Sequence, residues 1–167
     1  MQRRSLIMGL STLSLLAACG DSGKFKSYSG EPVSQVHVYK KKRRMYLVSV
    51  DGKILKEYKI ALGGNPIGKK QFEGDGKTPE GLYFIDRRNP NSAYHLSLGI
   101  SYPNPSDTVF AESQGKRPGG DIFIHGRAGK DKGRGKDWTA GCIAVRDEEI
   151  EVIYAMVATG TPVFIYP

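Results

Sequence analysis

The sequence predicts a mainly β fold with one supporting helix near the C-terminus. From residue 33 onward, short runs that alternate apolar and polar residues are separated by segments rich in turn residues. A single amphipathic run follows late in the chain, at 147–160. The 167 residues suit one domain, and a 39% apolar content is enough for a modest core, which excludes a disordered chain.

The β runs follow one another with clear turns between them. The predicted strands cover 36–38, 46–50, 54–62, 82–86, 94–101, 122–124 and 163–165. Asp51-Gly52 predicts a tight hairpin. The five cations of Lys40 to Arg44 are interpreted as a solvated turn between strands, and 63–81 as a long loop.

The late run has both ends of a helix. Asp147 is expected to cap it, and Gly160 with Pro162 is expected to end it. Its apolar positions recur at helical spacing and predict one buried stripe: Ile150, Ile153, Tyr154 and Val157.

The N-terminus has the pattern of an export signal. A positive stretch, Met1 to Arg4, precedes the apolar run Ser5 to Ala18, which is too short to span a bilayer. The run ends in Leu16-Ala17-Ala18-Cys19, which resembles a bacterial lipobox. We therefore expect a signal peptide at 1–18 and a lipid on Cys19. The alternative, a buried N-terminal helix, lacks amphipathic spacing.

Export of this kind predicts where the protein works. Residues 19–32 are polar and are interpreted as a flexible tether between the lipid and a domain at 33–167. We expect the periplasmic face of a bacterial membrane, and the outer membrane rather than the inner one because Gly20 follows Cys19. Arg3-Arg4 also leaves twin-arginine export open beside the general route.

Cys142 is the second of only two cysteines. With Cys19 assigned to the lipid, it is a lone thiol in an exported protein. It could be a small buried apolar residue or the partner of Cys19 in a disulfide, although lipidation excludes the latter. Catalysis is the interpretation we favour.

His125 is the natural base for Cys142, because neighbouring β runs can hold an imidazole against a thiol that is distant in sequence. A neutral imidazole can accept the thiol proton, and the resulting imidazolium stabilises the thiolate. The Gly126 carbonyl is a candidate for orienting the ring. The backbone N–H groups of Gly141 and Cys142 are candidates for an oxyanion hole.

Other chemistries find less support in the sequence. Three histidines and two cysteines show no paired metal-ligand spacing, so neither a metal site nor a cofactor is expected. The stretch Gly74 to Thr78 lacks the full phosphate-loop pattern. The net charge of +8 suits acidic partners or an ordinary solvated surface, and export argues against nucleic acid.

Two motifs make the chain recognisable. His125-Gly126, followed after a glycine-rich loop by Thr139 to Ile143 (TAGCI), resembles the signature of the YkuD-type L,D-transpeptidase catalytic domain. Gly74 to Tyr83 (GDGKTPEGLY) is similar to an upstream motif of that family. Ala140 stands where the family usually has histidine, and residues 137–144 resemble its YafK-like branch, which includes enzymes that cut rather than make bonds to murein.

The resemblance implies a β-sandwich or barrel of mixed sheets and a peptidoglycan L,D-transpeptidase that remodels the cell wall. Cys142 would attack the diaminopimelate carbonyl of a stem peptide, with His125 as general base and acid. The acyl group would pass to a stem amine, to a murein-linked lipoprotein or to water. Alternatives are a murein hydrolase using the same site and a murein-binding lipoprotein with a decayed site.

The expected substrate contacts are also carried by the resemblance. They are Arg127, Trp138, Thr139, Tyr102 and His95. Core packing is an equal alternative for Trp138. In the loop that precedes Cys142, cations outnumber carboxylates, which favours a carboxylate-rich stem peptide. The loop cations are Arg127, Lys130, Lys132, Arg134 and Lys136. An ordinary solvated loop is the alternative for any one of these cations.

Overall fold

A computed structural model describes residues 23–128 and 136–167 of the protein, which contain eight strands and two α-helices. The strands are β1 (Gln35–Tyr39), β2 (Arg44–Val48), β3 (Ile54–Lys59), β4 (Gly81–Asn89), β5 (Ser97–Ile100), β6 (Phe123–His125), β7 (Ile143–Ala144) and β8 (Pro162–Tyr166). The helices are α1 (Pro105–Ser113) and α2 (Asp147–Met156).

All eight strands belong to one curled, mixed sheet with the order β3-β2-β1-β8-β4-β5-β6-β7. The pairs β1/β8 and β6/β7 are parallel and the other neighbours are antiparallel. Two isolated bridges, Ala61 to Ala144 and Gly63 to Thr139, connect the segment after β3 to the β7 region. The sheet therefore curls back towards its first strand, and the predicted mainly β class is confirmed.

The core lies inside this curl. Alternate residues of β1 and β2 point inward, so that Val36, Val38, Met45 and Leu47 are fully buried. The stripe of α2 packs against the same cluster, as its spacing predicts. Each fully buried side chain of this size contributes about 1.5–3 kcal/mol of transfer free energy, so the inward residues specify the strand register.

Helix α1 lies between the predicted strands 94–101 and 122–124, in a segment for which no helix was predicted. The residues at its start account for the helix. Pro105 occupies the first turn, where its missing N–H costs nothing, and Asn104 is the N-cap. The Asn104 side chain accepts from Asp107 N at 2.9 Å, and the Asp107 carboxylate accepts from Asn104 N at 3.1 Å.

Some predicted boundaries differ from the observed ones. Arg146, not Asp147, is the N-cap of α2, and the helix ends at Met156, before Gly160. The strand predicted over 94–101 is only β5, all four residues of which are buried, because both faces of this strand are covered. The hairpin at Asp51-Gly52 is confirmed, with Gly52 at φ +80° between β2 and β3.

The segment before β1 lies against the body of the domain. Lys24 Nζ donates to the Pro90 carbonyl at 2.6 Å, and Lys26 pairs with Glu151 at 3.3 Å. The predicted signal peptide and Cys19 lie outside the described residues. Within residues 23–128 and 136–167, neither helix has the length and apolar character needed to cross a membrane.

Candidate active site

Strands β6 and β7 bring the two predicted catalytic residues together. Ile124 pairs with Ile143 and His125 with Ala144 in a parallel register. Both isoleucines are fully buried in the core. Because side chains alternate along a strand, His125 projects to the other face of this strand pair, and Cys142 directly precedes β7.

The His125 ring is held in one orientation. It is only 3% exposed, and Nδ1 lies 2.6 Å from the Gly126 carbonyl oxygen. A carbonyl can only accept, so Nδ1 carries the proton and Nε2 is the basic nitrogen. The rings of Tyr94 and Trp138 pack on the imidazole, with centroids at 4.5 Å and 5.7 Å.

Glycine is required at position 126. A Cβ there would lie 2.8 Å from the Tyr94 carbonyl oxygen and 3.0 Å from Ile150 Cγ2, and would collide with the Asp147 carboxylate. That carboxylate, at the start of α2, accepts the backbone N–H groups of Arg127 at 2.5 Å and Ala128 at 3.1 Å. The first turn of α2 thus fixes the backbone whose carbonyl orients His125.

The turn that presents Cys142 is built around Thr139. The buried Thr139 hydroxyl donates to the Cys142 carbonyl at 2.7 Å and accepts the Gly141 N–H at 3.2 Å. Gly141 has φ +140°, and a Cβ there would lie 2.6 Å from the Lys77 carbonyl oxygen. The half-buried Cys142 Sγ lies 3.5 Å from the Asp121 carbonyl oxygen.

Burial keeps both reacting groups neutral at neutral pH. It lowers the pKa of His125, against the opposing effects of the Gly126 hydrogen bond and the Asp147 charge. It raises the pKa of the Cys142 thiol, although the Phe123 N–H and the Lys70 charge act in the opposite direction. The resting pair is therefore a thiol and an imidazole, not a preformed thiolate–imidazolium pair.

The family model of the YkuD L,D-transpeptidase catalytic domain matches residues 34–165. The chain belongs to this family. It is 32% identical to YafK of Escherichia coli strain K12 over 143 residues, which are 83% of this chain and 52% of YafK. The family recognised in the sequence is thereby confirmed.

Solved structures agree with this assignment. The helical cell shape determining protein Pgp2 of Campylobacter jejuni is 31% identical, with a TM-score of 0.63 over 87% of this chain and 51% of Pgp2. Bd1075 of Bdellovibrio bacteriovorus is 25% identical, with a TM-score of 0.60 over 81% of this chain and 48% of Bd1075. The chain spans about half the length of these relatives.

Three of the substrate contacts predicted for this L,D-transpeptidase domain have other partners. The Thr139 hydroxyl is used within the Cys142 turn. His95 Nε2 pairs with Glu151 of α2 at 2.9 Å. Tyr102 is 5% exposed and donates to the Pro118 carbonyl at 3.0 Å. Each of these side chains therefore has a contact within the domain, and their contact with substrate stays a prediction.

Trp138 and Arg127 remain near the catalytic pair. Trp138 packs edge-on against His125, and its buried indole N–H has no hydrogen-bond partner among the described residues. Arg127 lines a cavity of about 580 Å³ two residues after His125. The other lining residues of this cationic cavity are Arg44, Glu57, Lys59, Arg146 and Glu149. Lys130, Lys132 and Arg134 lie outside the described residues.

Sequence reasoning missed Tyr94 and Lys70. Tyr94 packs on His125, yet the sequence places it only at the start of the predicted strand 94–101 and holds no sign of that contact. Lys70 is 3% exposed and donates to Asp75 Oδ1 at 2.9 Å and to the Phe72 carbonyl at 2.8 Å, and its charge opposes the rise in the pKa of Cys142. Its neighbour Lys69 is the same residue type, so the sequence holds no signal for a buried cation here.

The described part of the chain holds no cluster of three or more histidine, cysteine or carboxylate side chains suited to a metal ion.

Proposed function

We propose that this chain is a peptidoglycan L,D-transpeptidase that works through a thioester on Cys142. The observation that carries the proposal is the pairing of β6 with β7. It sets the Cys142 turn beside His125, whose Nδ1–H donates to the Gly126 carbonyl oxygen. The basic Nε2 is then available for the thiol, as nucleophilic catalysis by a neutral pair requires.

In the acylation step one proton passes from Cys142 to His125 and then to the leaving amine. His125 Nε2 accepts the proton of Cys142 Sγ as the sulfur attacks the diaminopimelate carbonyl of a stem peptide. The carbon–nitrogen bond of the tetrahedral intermediate then breaks, and the leaving amine takes the proton from Nε2. The product is a thioester on Cys142 and a free amine.

The oxyanion of that intermediate needs a donor, and we assign it to the Cys142 N–H. The Gly141 N–H already donates to Thr139 Oγ1 at 3.2 Å, so it can serve the oxyanion only by exchanging this bond. Removing one donor of this kind typically lowers the rate about 10²–10³-fold. The Cys142 turn is thus proposed to combine nucleophile and oxyanion donor in one residue.

The second step resolves the thioester. A stem amine or a lysine of a murein-linked lipoprotein loses a proton to Nε2 and attacks the acyl carbon. The carbon–sulfur bond breaks, and the sulfur recovers its proton from Nε2. The cationic cavity beside Arg127 suits the free carboxylates of the stem peptides. The likeness to Pgp2 supports a role in cell shape.

Hydrolysis of the same thioester is the second candidate. Its support is Ala140, an exposed residue directly before Gly141 that offers no imidazole to hold an acceptor amine. Water needs no such group and would yield shortened stems or released protein. Mass spectrometry of muropeptides after incubation separates the two, because 3–3 cross-linked dimers require transfer.

Export and anchoring belong to the same proposal. Cleavage before Cys19 and lipidation of its sulfur would hold the domain on the periplasmic face of the membrane, with the outer membrane favoured. Metabolic labelling with a radioactive fatty acid tests this, and loss of label in Cys19→Ala is the expected result. An unlabelled wild-type chain would overturn the anchor without affecting the catalytic proposal.

The decisive test of the chemistry is acylation by a carbapenem. We expect the intact mass of the purified protein to increase by one drug molecule, and Cys142→Ala to abolish the increase. Phe84→Ala, an exposed site on β4, serves as the folded control. A wild-type chain that stays unlabelled at saturating drug would contradict the mechanism and favour a murein-binding lipoprotein with a decayed site.

A further inference from the structure

The outer face of the sheet carries a groove that the catalytic mechanism does not use. It has a volume of about 410 Å³ and lies over β1, β2 and the start of β3. Its lining includes Gln35, His37, Tyr39, Lys42, Tyr46 and Ile54. Ile54 is 58% exposed, so apolar surface remains open to solvent at one side of the groove.

One wall of this outer groove is an ordered block of rings. His37 stacks on Phe164 with centroids 5.0 Å apart and planes 21° apart, and Tyr39 stacks on Tyr166 at 4.8 Å and 22°. Both pairs are direct neighbours in the parallel β1/β8 register. His37 and Tyr39 of this block line the groove, where Tyr46 meets Tyr39 edge-on at 5.8 Å.

The wall is fixed before any ligand arrives. The His37 ring is held between Gln35 Oε1, at 2.8 Å from Nε2, and the Tyr166 hydroxyl, at 3.2 Å from Nδ1. Burial lowers the pKa of His37, so the wall is uncharged at neutral pH. Rings that are already ordered lose little conformational entropy when a ligand binds to them.

We infer that the outer groove binds the sugar rings of a peptidoglycan glycan strand. The face of a pyranose ring presents C–H groups with partial positive charge, which match the negative face of an aromatic ring. The Gln35 amide, the tyrosine hydroxyls and Lys42 surround the rings and can bond sugar hydroxyls and acetamido groups. The inference rests on the proposed function, because that function makes peptidoglycan the polymer at hand.

The position of the groove favours this polymer over other occupants. Tyr46 of the groove and Glu57 of the cationic cavity are direct neighbours across β2 and β3, as are Tyr39 and Arg44 across β1 and β2. The groove therefore leads into the cavity, and the cavity reaches Arg127, two residues after His125. A glycan strand in the groove would place its stem peptides over the cations.

The charge of the groove also agrees with a glycan strand. Lys42 is its only charged lining residue among those described, and it stands 5.0 Å from the Tyr39 ring centroid. No carboxylate lines the groove in this part of the chain. A polymer with free carboxylates on its side chains therefore meets no like charge there, whereas a second copy of this basic chain would bring further cations.

The test is a titration with chitohexaose, a soluble chain of six N-acetylglucosamine units. The full chain carrying Cys142→Ser is titrated and followed by heteronuclear NMR. We expect saturable shifts centred on the Ile54 methyl and Tyr46 ring resonances. Tyr39→Ala should raise the dissociation constant at least tenfold, whereas Phe84→Ala, which lies on the same face outside the groove, should change it less than twofold.

Activity gives the second measurement. On a soluble stem peptide without sugars, Tyr39→Ala should keep the wild-type kcat/KM, whereas on intact peptidoglycan its rate should fall about tenfold. Circular dichroism and thermal unfolding establish that the variant is folded. If Tyr39→Ala is not folded, the chemical-shift changes mapped on the Cys142→Ser chain test the inference without it.

Several results would overturn the inference. They are the absence of saturable shifts at millimolar sugar, shifts centred away from the groove, and equal effects of the two alanine variants. A concentration-dependent dimer abolished by Tyr39→Ala would assign the face to self-association instead. Sugar binding without carbapenem acylation would leave the inference standing and refute the catalytic proposal, and the reverse result would refute the inference alone.

Discussion

Arg43 and Asp137 form a two-point ion pair between the β1–β2 turn and the residue before Trp138. Arg43 Nε lies 2.8 Å from one carboxylate oxygen, and Nη2 lies 2.7 Å from the other. The Asp137 carboxylate also accepts the Leu62 N–H at 3.1 Å. Two distant segments are thus fixed to the loop that positions the indole beside His125.

Replacement of Asp137 by asparagine should destabilise the fold. The change keeps the size of the side chain but removes the charge that pairs with mostly buried Arg43, so we expect a loss of about 1–3 kcal/mol in the free energy of unfolding. Urea unfolding measures it. Asp86→Asn, at an exposed pair with Arg87, should cost less than about 0.5 kcal/mol. Equal losses would contradict the role of the Arg43 pair.

Acid should destabilise the protein through Asp75 and Asp137. Burial acts to raise the pKa of both carboxyls, but their hydrogen bonds outweigh it and hold each pKa below its ordinary value of 3.8. Such groups contribute stability above the unfolded pKa and lose it as pH falls through the folded one. Chemical unfolding from pH 6 to pH 2 should show this loss below pH 4, with a smaller slope in Asp137→Asn.

The neutral resting pair predicts the pH dependence of acylation. His125 must be unprotonated to accept the thiol proton, and its pKa is lowered, so kcat/KM should lose activity only below the ordinary histidine value of 6.5. Because the pKa of Cys142 is raised, alkylation by iodoacetamide should still accelerate above pH 9. If the alkylation rate does not change between pH 6 and pH 8, Cys142 is instead a preformed thiolate.

Gly126→Ala should disable the site. The added methyl would meet the Asp147 carboxylate and the Tyr94 carbonyl, so the backbone that orients His125 must move. We expect a loss of about 1–3 kcal/mol in unfolding free energy and about a 10²-fold fall in kcat. In Gly64→Ala, the added methyl would lie 4.0 Å from its nearest neighbour, the Thr139 carbonyl oxygen. This control should keep near wild-type activity.

Substitutions at Tyr94 and His95 test which of the two matters for catalysis: Tyr94, which packs on His125 in the structure, or His95, which the sequence predicts to contact the substrate. Tyr94→Ala removes the ring that packs on His125 at 4.5 Å and should lower kcat about tenfold, and Tyr94→Phe should restore it. His95→Asn removes only the contact with Glu151 and should leave kcat/KM within about twofold. Steady-state kinetics on a soluble stem peptide compare them. A larger effect on kcat/KM from His95→Asn would indicate that His95 contacts the substrate, as the sequence predicts.

The pairing of the two strands that carry the candidate site could be predicted because its signals are local. An apolar run directly precedes His125-Gly126 and a second run follows Cys142. Both runs form strands in the structure. The hairpin at Gly52 and the stripe of α2 were likewise predictable from turn chemistry and helical spacing. In each case the residues that carry the signal stand within a few positions of one another.

The remaining parts of the site depend on contacts between distant segments. Tyr94 reaches His125 from 31 positions away, and Arg43 reaches Asp137 from 94 positions away. Nothing in the local sequence marks these partners. Helix α1 is a different case, since Asn104, Pro105 and Asp107 carry local N-terminal signals, although no helix was predicted there.

Strand β3 is an edge strand of the sheet, so one of its sides has no strand neighbour in the described part of the chain. An unpaired strand of this kind offers a row of backbone groups to which another molecule could add, the first step towards aggregation. Lys56, Glu57 and Lys59 point from β3 into water. Their hydration and their charge make such an addition unfavourable, which would keep the protein dispersed at high local concentration.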